Sequence, residues 1–91
     1  MTNLPDQVSV YKRTPEFESS TIPKGLLKAH QTKEGTWGKI IILEGKLRYR
    51  ILEPVISEVV LTPKIFVVVE PTVLHEIEAI GPVKFYIEFL K

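Results

Sequence analysis

The stretch KIIILEGKLRYRI, residues 39–51, decides the fold class of this chain. In its second half, apolar Leu47 and Tyr49 alternate with basic residues, which is the period-two pattern of a strand with one buried and one solvated face. Its first half, residues 40–43, is apolar on both faces and therefore indicates a central strand. Gly45 stands between the two halves and supplies the backbone freedom of a tight turn, so the stretch is expected to form a hairpin.

The rest of the chain also consists of short strand-like segments. Seven prolines and five glycines divide it into short β-branched and aromatic runs. Regular spacing of such runs between turn residues is typical of sandwiches and barrels, and helical periodicity is nowhere sustained. We therefore expect an all-β fold. The expected strands cover residues 8–12, 26–30, 37–43, 46–52, 58–61, 65–70, 75–79 and 83–90.

Length and composition restrict the domain organisation and the class of function. The 91 residues are expected to form one domain, 1–91, with no room for a methyltransferase domain. Twelve Lys and Arg against eleven Asp and Glu give a net charge of +1, without the basic excess that is typical of nucleic-acid-binding proteins. The absence of cysteine excludes disulfides, thiolate metal sites and cysteine nucleophiles.

The distribution of apolar residues bears on location and assembly. The first residues lack the layout of a signal peptide, and the longest apolar runs are too short to span a bilayer. We expect a cytoplasmic protein without a membrane partner. The mean hydropathy of +0.09 is slightly apolar for so short a chain, which favours a homodimer that covers part of the surface.

The histidines His30 and His75 are the main candidates for a ligand site. Strand alternation places His75 on the same face as Ile77, where a buried imidazole needs a polar partner. If both histidines line one cavity, they could coordinate a metal ion or hydrogen-bond an anion. Alternatively they are unrelated, and one is buried against a carbonyl group. Trp37 could form a wall of the same pocket, although core packing explains it as well.

Other candidate groups are weaker. The basic row Lys46, Arg48 and Arg50 could bind an oxyanion, but a solvated face paired with acidic residues of a neighbouring strand explains it better. The chain has no Gly-rich phosphate loop and no GxSxG motif. A single aspartate argues against a Ser-His-Asp triad. No catalytic residue is therefore predicted.

Three segments of the chain resemble the N-terminal domain of the tellurite-resistance protein B (TehB-like) family. They are HQTKEGTWGKIIILEGKLRY (30–49), VEPTVLH (69–75) and FYIEF (85–89), and YKRTP (11–15) also fits. The resemblance implies a small cupin-like β-barrel, that is, a double-stranded β-helix or jelly roll. It also implies an association with tellurite resistance, a methyltransferase as fused or separate partner, and no catalytic activity in this chain by itself.

The resemblance to cupins also implies positions for a metal site. Cupins hold a divalent metal through His-x-His, a downstream Glu and a later His. Here His30 matches the first histidine and His75 the last, whereas Thr32 stands at the second histidine and Trp37 or Gly38 at the glutamate. The implied metal is zinc, nickel, manganese or iron. Two of the four expected ligands are therefore missing, and tetrahedral sites usually need at least three protein donors.

Three functions remain open at this point. The first is a binding module whose pocket, lined by His30, Trp37 and His75, takes a metal ion or another small ligand such as an oxyanion. Glu70 or water could supply its third donor. The second is a structural or dimerisation module without a ligand of its own. The third is a metal-dependent cupin enzyme, which the incomplete ligand set disfavours.

Overall fold

The computed structural model describes residues 5–28 and 31–91, whose regular secondary structure is β-strand apart from one short 3₁₀ helix. All strand pairs are antiparallel and belong to one six-stranded sheet. The prediction of an all-β fold is therefore confirmed. The elements are β1 (Val10–Arg13), β2 (Phe17–Glu18), a 3₁₀ helix (Lys24–Leu26), β3 (Trp37–Ile51), β4 (Ser57–Leu61), β5 (Val67–Val69) and β6 (His75–Leu90).

Two long strands, β3 and β6, form the centre of the sheet. They pair from Trp37 opposite Leu90 at one end to Ile51 opposite His75 at the other. On its other edge, β3 pairs first with β5 and then with β4. The last part of β6 pairs in the same way with β1 and β2. Each long strand therefore pairs with three other strands: the other long strand and two short ones.

A bend in the middle of both long strands curls the sheet around its core. The register shifts between Ile42 and Glu44 and again between Gly45 and Lys46. Gly45 has a φ of 81° and Gly81 a φ of 69°, the left-handed region that favours glycine. A bulge of this kind bends the strand and increases its twist, which lets one strand pass from one wall to the next.

The hairpin predicted at Gly45 is wrong, because β3 runs through this position without a break. The glycine conformation on which the prediction depended is present, but it forms a bulge. The interruption expected between residues 79 and 83 is also wrong, since Gly81 and Pro82 lie inside β6. A bulge and a two-residue turn can both require a glycine with positive φ, so the sequence pattern does not separate them.

Alternating residues of the bent strands form the core on the concave face of the sheet. Leu47 and Phe85 are completely buried, and the Phe85 ring packs edge-to-face against Phe17 with their centroids 5.6 Å apart. The alternation predicted around Leu47 and Tyr49 is confirmed. The core cluster consists of Ile40, Ile42, Leu47, Tyr49, Leu61, Val67, Val69, Ile77, Val83, Phe85 and Ile87.

Two other predicted strands differ from the structure. Lys24–Leu26 forms a 3₁₀ helix, in which the Leu26 N–H donates to the Pro23 carbonyl at 3.0 Å, so no strand begins at Leu26. Ile65 and Phe66 are exposed and precede β5 instead of belonging to it. Within the described residues, no helix has the length and apolar character needed to cross a bilayer. The cytoplasmic location stays a prediction.

Exposed apolar side chains concentrate at the edge strand β4. Val55 and Ile56, just before it, are 73% and 70% exposed, and Val59 and Val60 on the strand are also exposed. Among the described strands, β4 pairs only with β3. A second copy of the chain could cover such an edge, but the homodimer stays a prediction.

Candidate functional site

His75 begins β6 and is directed into the barrel. It is only 4% exposed, and its Nδ1 lies 3.0 Å from the carbonyl oxygen of Val73. Because a carbonyl can only accept, Nδ1 donates this bond, and in a neutral ring Nε2 then carries the lone pair. The contact matches the interpretation of a buried histidine bonded to a carbonyl. It is also the arrangement that orients a metal-ligating histidine.

A small cavity lies beside His75. Its volume of about 20 Å³ is enough for about one water molecule. His75 begins β6 opposite Ile51, at the far end of the β3–β6 pair from Gly38, yet both residues line this cavity. The bend at Gly45 therefore brings the two ends of the long strands together. The remaining walls are formed by Leu26, Thr32, Ile40, Val69, Ile87 and Phe89.

Two of the four positions matched to cupin metal ligands converge on the cavity, together with Gly38, one of the two candidates for a third. Thr32, Gly38 and His75 line it, whereas His30 lies outside the described residues. The Thr32 hydroxyl donates to the Thr36 carbonyl at 2.8 Å, and Gly38 has no side chain. Residues 5–28 and 31–91 contain no group of three His, Asp or Glu side chains placed to hold a metal ion. The described residues by themselves do not fit a metal site.

Tyr49 adds a second polar group next to His75. The centroids of the two rings lie 5.4 Å apart, with 38° between the ring planes. Burial raises the pKa of the Tyr49 hydroxyl to about 12, and the negative charge of Glu70 contributes to the same shift. The hydroxyl is therefore neutral at physiological pH. Glu70, the candidate third donor, acts electrostatically on the same end of the barrel.

The raised pKa of Tyr49 predicts a loss of stability in alkali. The unfolded chain releases this proton near the ordinary pKa of 10.0, whereas the folded chain holds it until about 12. The stabilisation is complete below pH 10 and is lost as the pH rises to 12, by up to roughly 3 kcal/mol. Tyr49→Phe should lack this decline. Urea unfolding of both proteins between pH 9 and 12 measures it, and an equal decline in the variant would contradict the assignment.

Trp37 is placed differently from the other candidate residues. It begins β3 and is half-buried, and it is not among the described residues that line the cavity. Gly38 and Ile40 face the cavity, so strand alternation directs Trp37 to the opposite face. The structure thus brings His75 together with the Thr32 and Gly38 positions, but it does not bring Trp37 to them.

The arginines of the basic row are neutralised by glutamates on both neighbouring strands. Arg50 lies 2.9 Å from Glu58 and 2.8 Å from Glu76, and Arg48 pairs with Glu58 and Glu78. This confirms the interpretation of a charge-paired outer face. Pairs this exposed contribute little to stability, and they leave no excess positive charge for an oxyanion.

The loop that leads into His75 contains a strained residue that no sequence pattern indicated. Thr72 has a φ of 64°, which is uncommon for a β-branched residue. Its N–H donates to the Thr32 carbonyl at 3.1 Å. Such strain persists only where surrounding contacts hold it. This hydrogen bond holds the loop between Glu70 and His75 against the segment that contains Thr32.

Comparison with known proteins assigns this barrel to a family. Residues 12–87 match the model of the TehB-like domain. The chain belongs to the TehB-like domain family. This TehB-like domain is 36% identical over 82 residues to a protein named probable S-adenosyl-L-methionine-dependent methyltransferase TehB from Haemophilus influenzae Rd, and 33% identical to its namesake from strain 10810. Each match covers 86% of this chain and only 29% of the relative.

Solved structures support the same fold. The crystal structure of TehB from Haemophilus influenzae superposes on the TehB-like domain with a TM-score of 0.88 at 32% identity, covering 93% of this chain and 32% of that one. A protein from Escherichia coli K12 gives 0.89 at 22% identity, covering 100% and 97%. A cupin-2 domain protein from Shewanella frigidimarina gives 0.57 at 16% identity, covering 99% and 83%. The cupin-like barrel predicted from the sequence is confirmed.

Proposed function

We propose that this TehB-like domain is a small-ligand-binding module that acts beside a methyltransferase. The methyltransferase partner, fused or separate, is inferred from the Haemophilus relatives, which are named as probable S-adenosyl-L-methionine-dependent methyltransferases. This chain corresponds to 29% of their length. The association with tellurite resistance is part of the proposal and comes from the family resemblance. The chain by itself is assigned no catalysis.

One observation carries the proposal: a buried histidine, oriented by a backbone carbonyl, lines a small cavity. The cavity of about 20 Å³ has room for about one water molecule or a single ion. A metal ion at this place would need His30, which lies outside the described residues, together with His75, because the described residues alone supply no three-donor set. We assign His30 and His75 as its protein ligands, with Glu70 or water as a third donor, and zinc, nickel, manganese or iron as the metal.

Metal content measures this assignment directly. Untagged wild-type protein should contain close to one equivalent of metal by plasma mass spectrometry, and the His30→Ala/His75→Ala variant should contain none. Thr32→His supplies the imidazole that cupins carry at this position, so it should retain metal against a chelator better than wild type does. Circular dichroism of each variant establishes that it is folded.

A wild-type protein that stays metal-free after incubation with all four metals would overturn the assignment. Metal that is retained equally by the double-histidine variant would do the same, because it would lie elsewhere on the surface. A gain of binding in Thr32→His alone would show that the positions are competent but that the natural side chains are not.

The second candidate function is a structural or dimerisation module. It is supported by the exposed apolar side chains on and beside β4, especially Val55 and Ile56. Sedimentation equilibrium of the same samples separates the two functions. A dimer in both wild type and the double-histidine variant, without metal in either, would favour the structural module. The metal-dependent enzyme has no support among the described residues, since they lack a three-donor set.

A further inference from the structure

A surface pocket of about 320 Å³ lies outside the cavity beside His75. Strand β1 contributes Tyr11 and Lys12, and β6 contributes Phe89. The opposite side is formed by the segment that precedes β3, with Gln31, Thr32, Lys33 and Thr36.

The charged residues described in the lining of this pocket are all basic. Lys12 and Lys33 bring two positive charges, and none of the described residues that line it is acidic. The pocket over the arginine row differs, because Glu76 and Glu78 line it together with the arginines that they neutralise. Of these two pockets, the one between the lysines has the excess positive charge.

A tight turn lies in the segment that forms one side of this pocket. The Thr36 N–H donates to the Lys33 carbonyl at 3.0 Å and closes a tight turn, in which Gly35 has a φ of 80°. The turn keeps Lys33 and Thr36 beside each other. The Thr32 hydroxyl donates to the Thr36 carbonyl and so forms part of the wall.

We propose that this pocket binds a small oxyanion. The ammonium groups of Lys12 and Lys33 neutralise it, and the Thr36 hydroxyl and the Gln31 amide are further donors. The pocket is large enough to hold an oxyanion together with part of its hydration shell. Because the lysines are exposed, salt screens the attraction and binding is weak at high ionic strength.

The oxyanion pocket and the inner cavity are adjacent. Thr32 and Phe89 line both of them, so the two sites share part of their walls. The oxyanion site does not depend on the proposed metal. Lysines, an amide and a hydroxyl form it, and none of these groups belongs to the proposed metal ligands.

Nuclear magnetic resonance of the ¹⁵N-labelled chain tests the proposal, with sodium sulfate and sodium selenite as probes against sodium chloride of equal ionic strength. The backbone amides of Lys12, Lys33 and Thr36 should shift in a saturable way with both oxyanions. Lys12→Gln/Lys33→Gln should weaken binding by about tenfold or more, since it removes both charge-assisted contacts. Lys46→Gln/Lys64→Gln removes the same charge away from the pocket and should change it less than about twofold.

Several results would overturn the proposal. Shifts that do not saturate, or an equal loss in the Lys46→Gln/Lys64→Gln control, would mean general attraction to net charge. Saturable shifts centred on Arg48 would place the anion on the other pocket. The His30→Ala/His75→Ala variant should still bind sulfate, so a failed metal assignment and a failed oxyanion assignment are distinguishable.

Discussion

Gly45→Ala is expected to lower the free energy of unfolding by about 3 kcal/mol or more. Two effects add at this position. A φ of 81° costs an L-residue roughly 1–2 kcal/mol relative to glycine. A Cβ would also overlap the Pro82 carbonyl oxygen and lie 3.0 Å from the Val83 Cα, and both atoms are backbone that cannot turn aside. Moving the backbone of a packed bend typically costs a further 1–3 kcal/mol or so.

Two other glycines provide matched controls for Gly45→Ala. Gly81 also has a positive φ, but a Cβ there meets nothing within 4 Å, so Gly81→Ala should cost only the roughly 1–2 kcal/mol of backbone strain. Gly25 has neither feature, and Gly25→Ala should be close to neutral. Thermal unfolding measures the series, at roughly 4–8 °C for each kcal/mol. Equal melting temperatures for the Gly45 and Gly81 variants would show that the close backbone approach is not real.

Phe85→Ala is expected to destabilise the domain by about 3–5 kcal/mol, the usual loss for a buried phenylalanine. Its side chain is 0% exposed and lies opposite Ile42 on β3 and Phe17 on β2. Removing the ring leaves a void that rigid strands on both sides cannot fill, and it removes the edge-to-face contact with Phe17. Since domains of this size are stable by only about 5–15 kcal/mol, the variant should be close to unfolding.

Phe66→Ala is the control for this loss of an aromatic ring. Phe66 is 48% exposed, and the Lys39 ammonium lies 4.4 Å from its ring centroid. An exposed cation–π contact contributes only about 0.5–1 kcal/mol, so the change in stability should be of that size. Urea unfolding of both variants tests the placement of the core. A Phe66 variant that is as unstable as the Phe85 variant would place the core on the wrong face of the sheet.

Strand alternation was sufficient to predict the buried face, but not the path of the chain. Leu47, Tyr49 and Ile77 lie on the core side as the pattern indicated. The bend at Gly45 could not be distinguished from a hairpin from local sequence. The backbone that approaches Gly45 closely is that of Pro82, which is distant in the sequence. The local sequence predicts that the glycine has a positive φ. Whether this conformation forms a turn or a bulge depends on how the strand pairs with its partner.

The candidate site could be predicted in part for the same reason. Alternation correctly placed His75 inside. The resemblance to cupins matched Thr32, and either Trp37 or Gly38, to ligand positions that this chain does not fill; Thr32 and Gly38 line the cavity, whereas Trp37 does not. The pocket that contains Lys12 and Lys33 has no sequence signature. It exists because β1 pairs with the end of β6 and so lies beside the segment that precedes β3. Such proximity depends on the topology of the sheet and not on a motif.

The long pairing of β3 with β6 also determines when the domain can fold during its synthesis. The apolar run at residues 40–43 emerges from the ribosome well before residues 83–90, which include its partners on β6. Until then this segment lacks its principal partner strand, and unpaired apolar strands of nascent chains are prone to aggregate. Closure between such distant segments is also slow, because the entropy of the intervening loop is lost first. The apolar residues of β3 are therefore prone to aggregation until β6 has been synthesised and has paired with them.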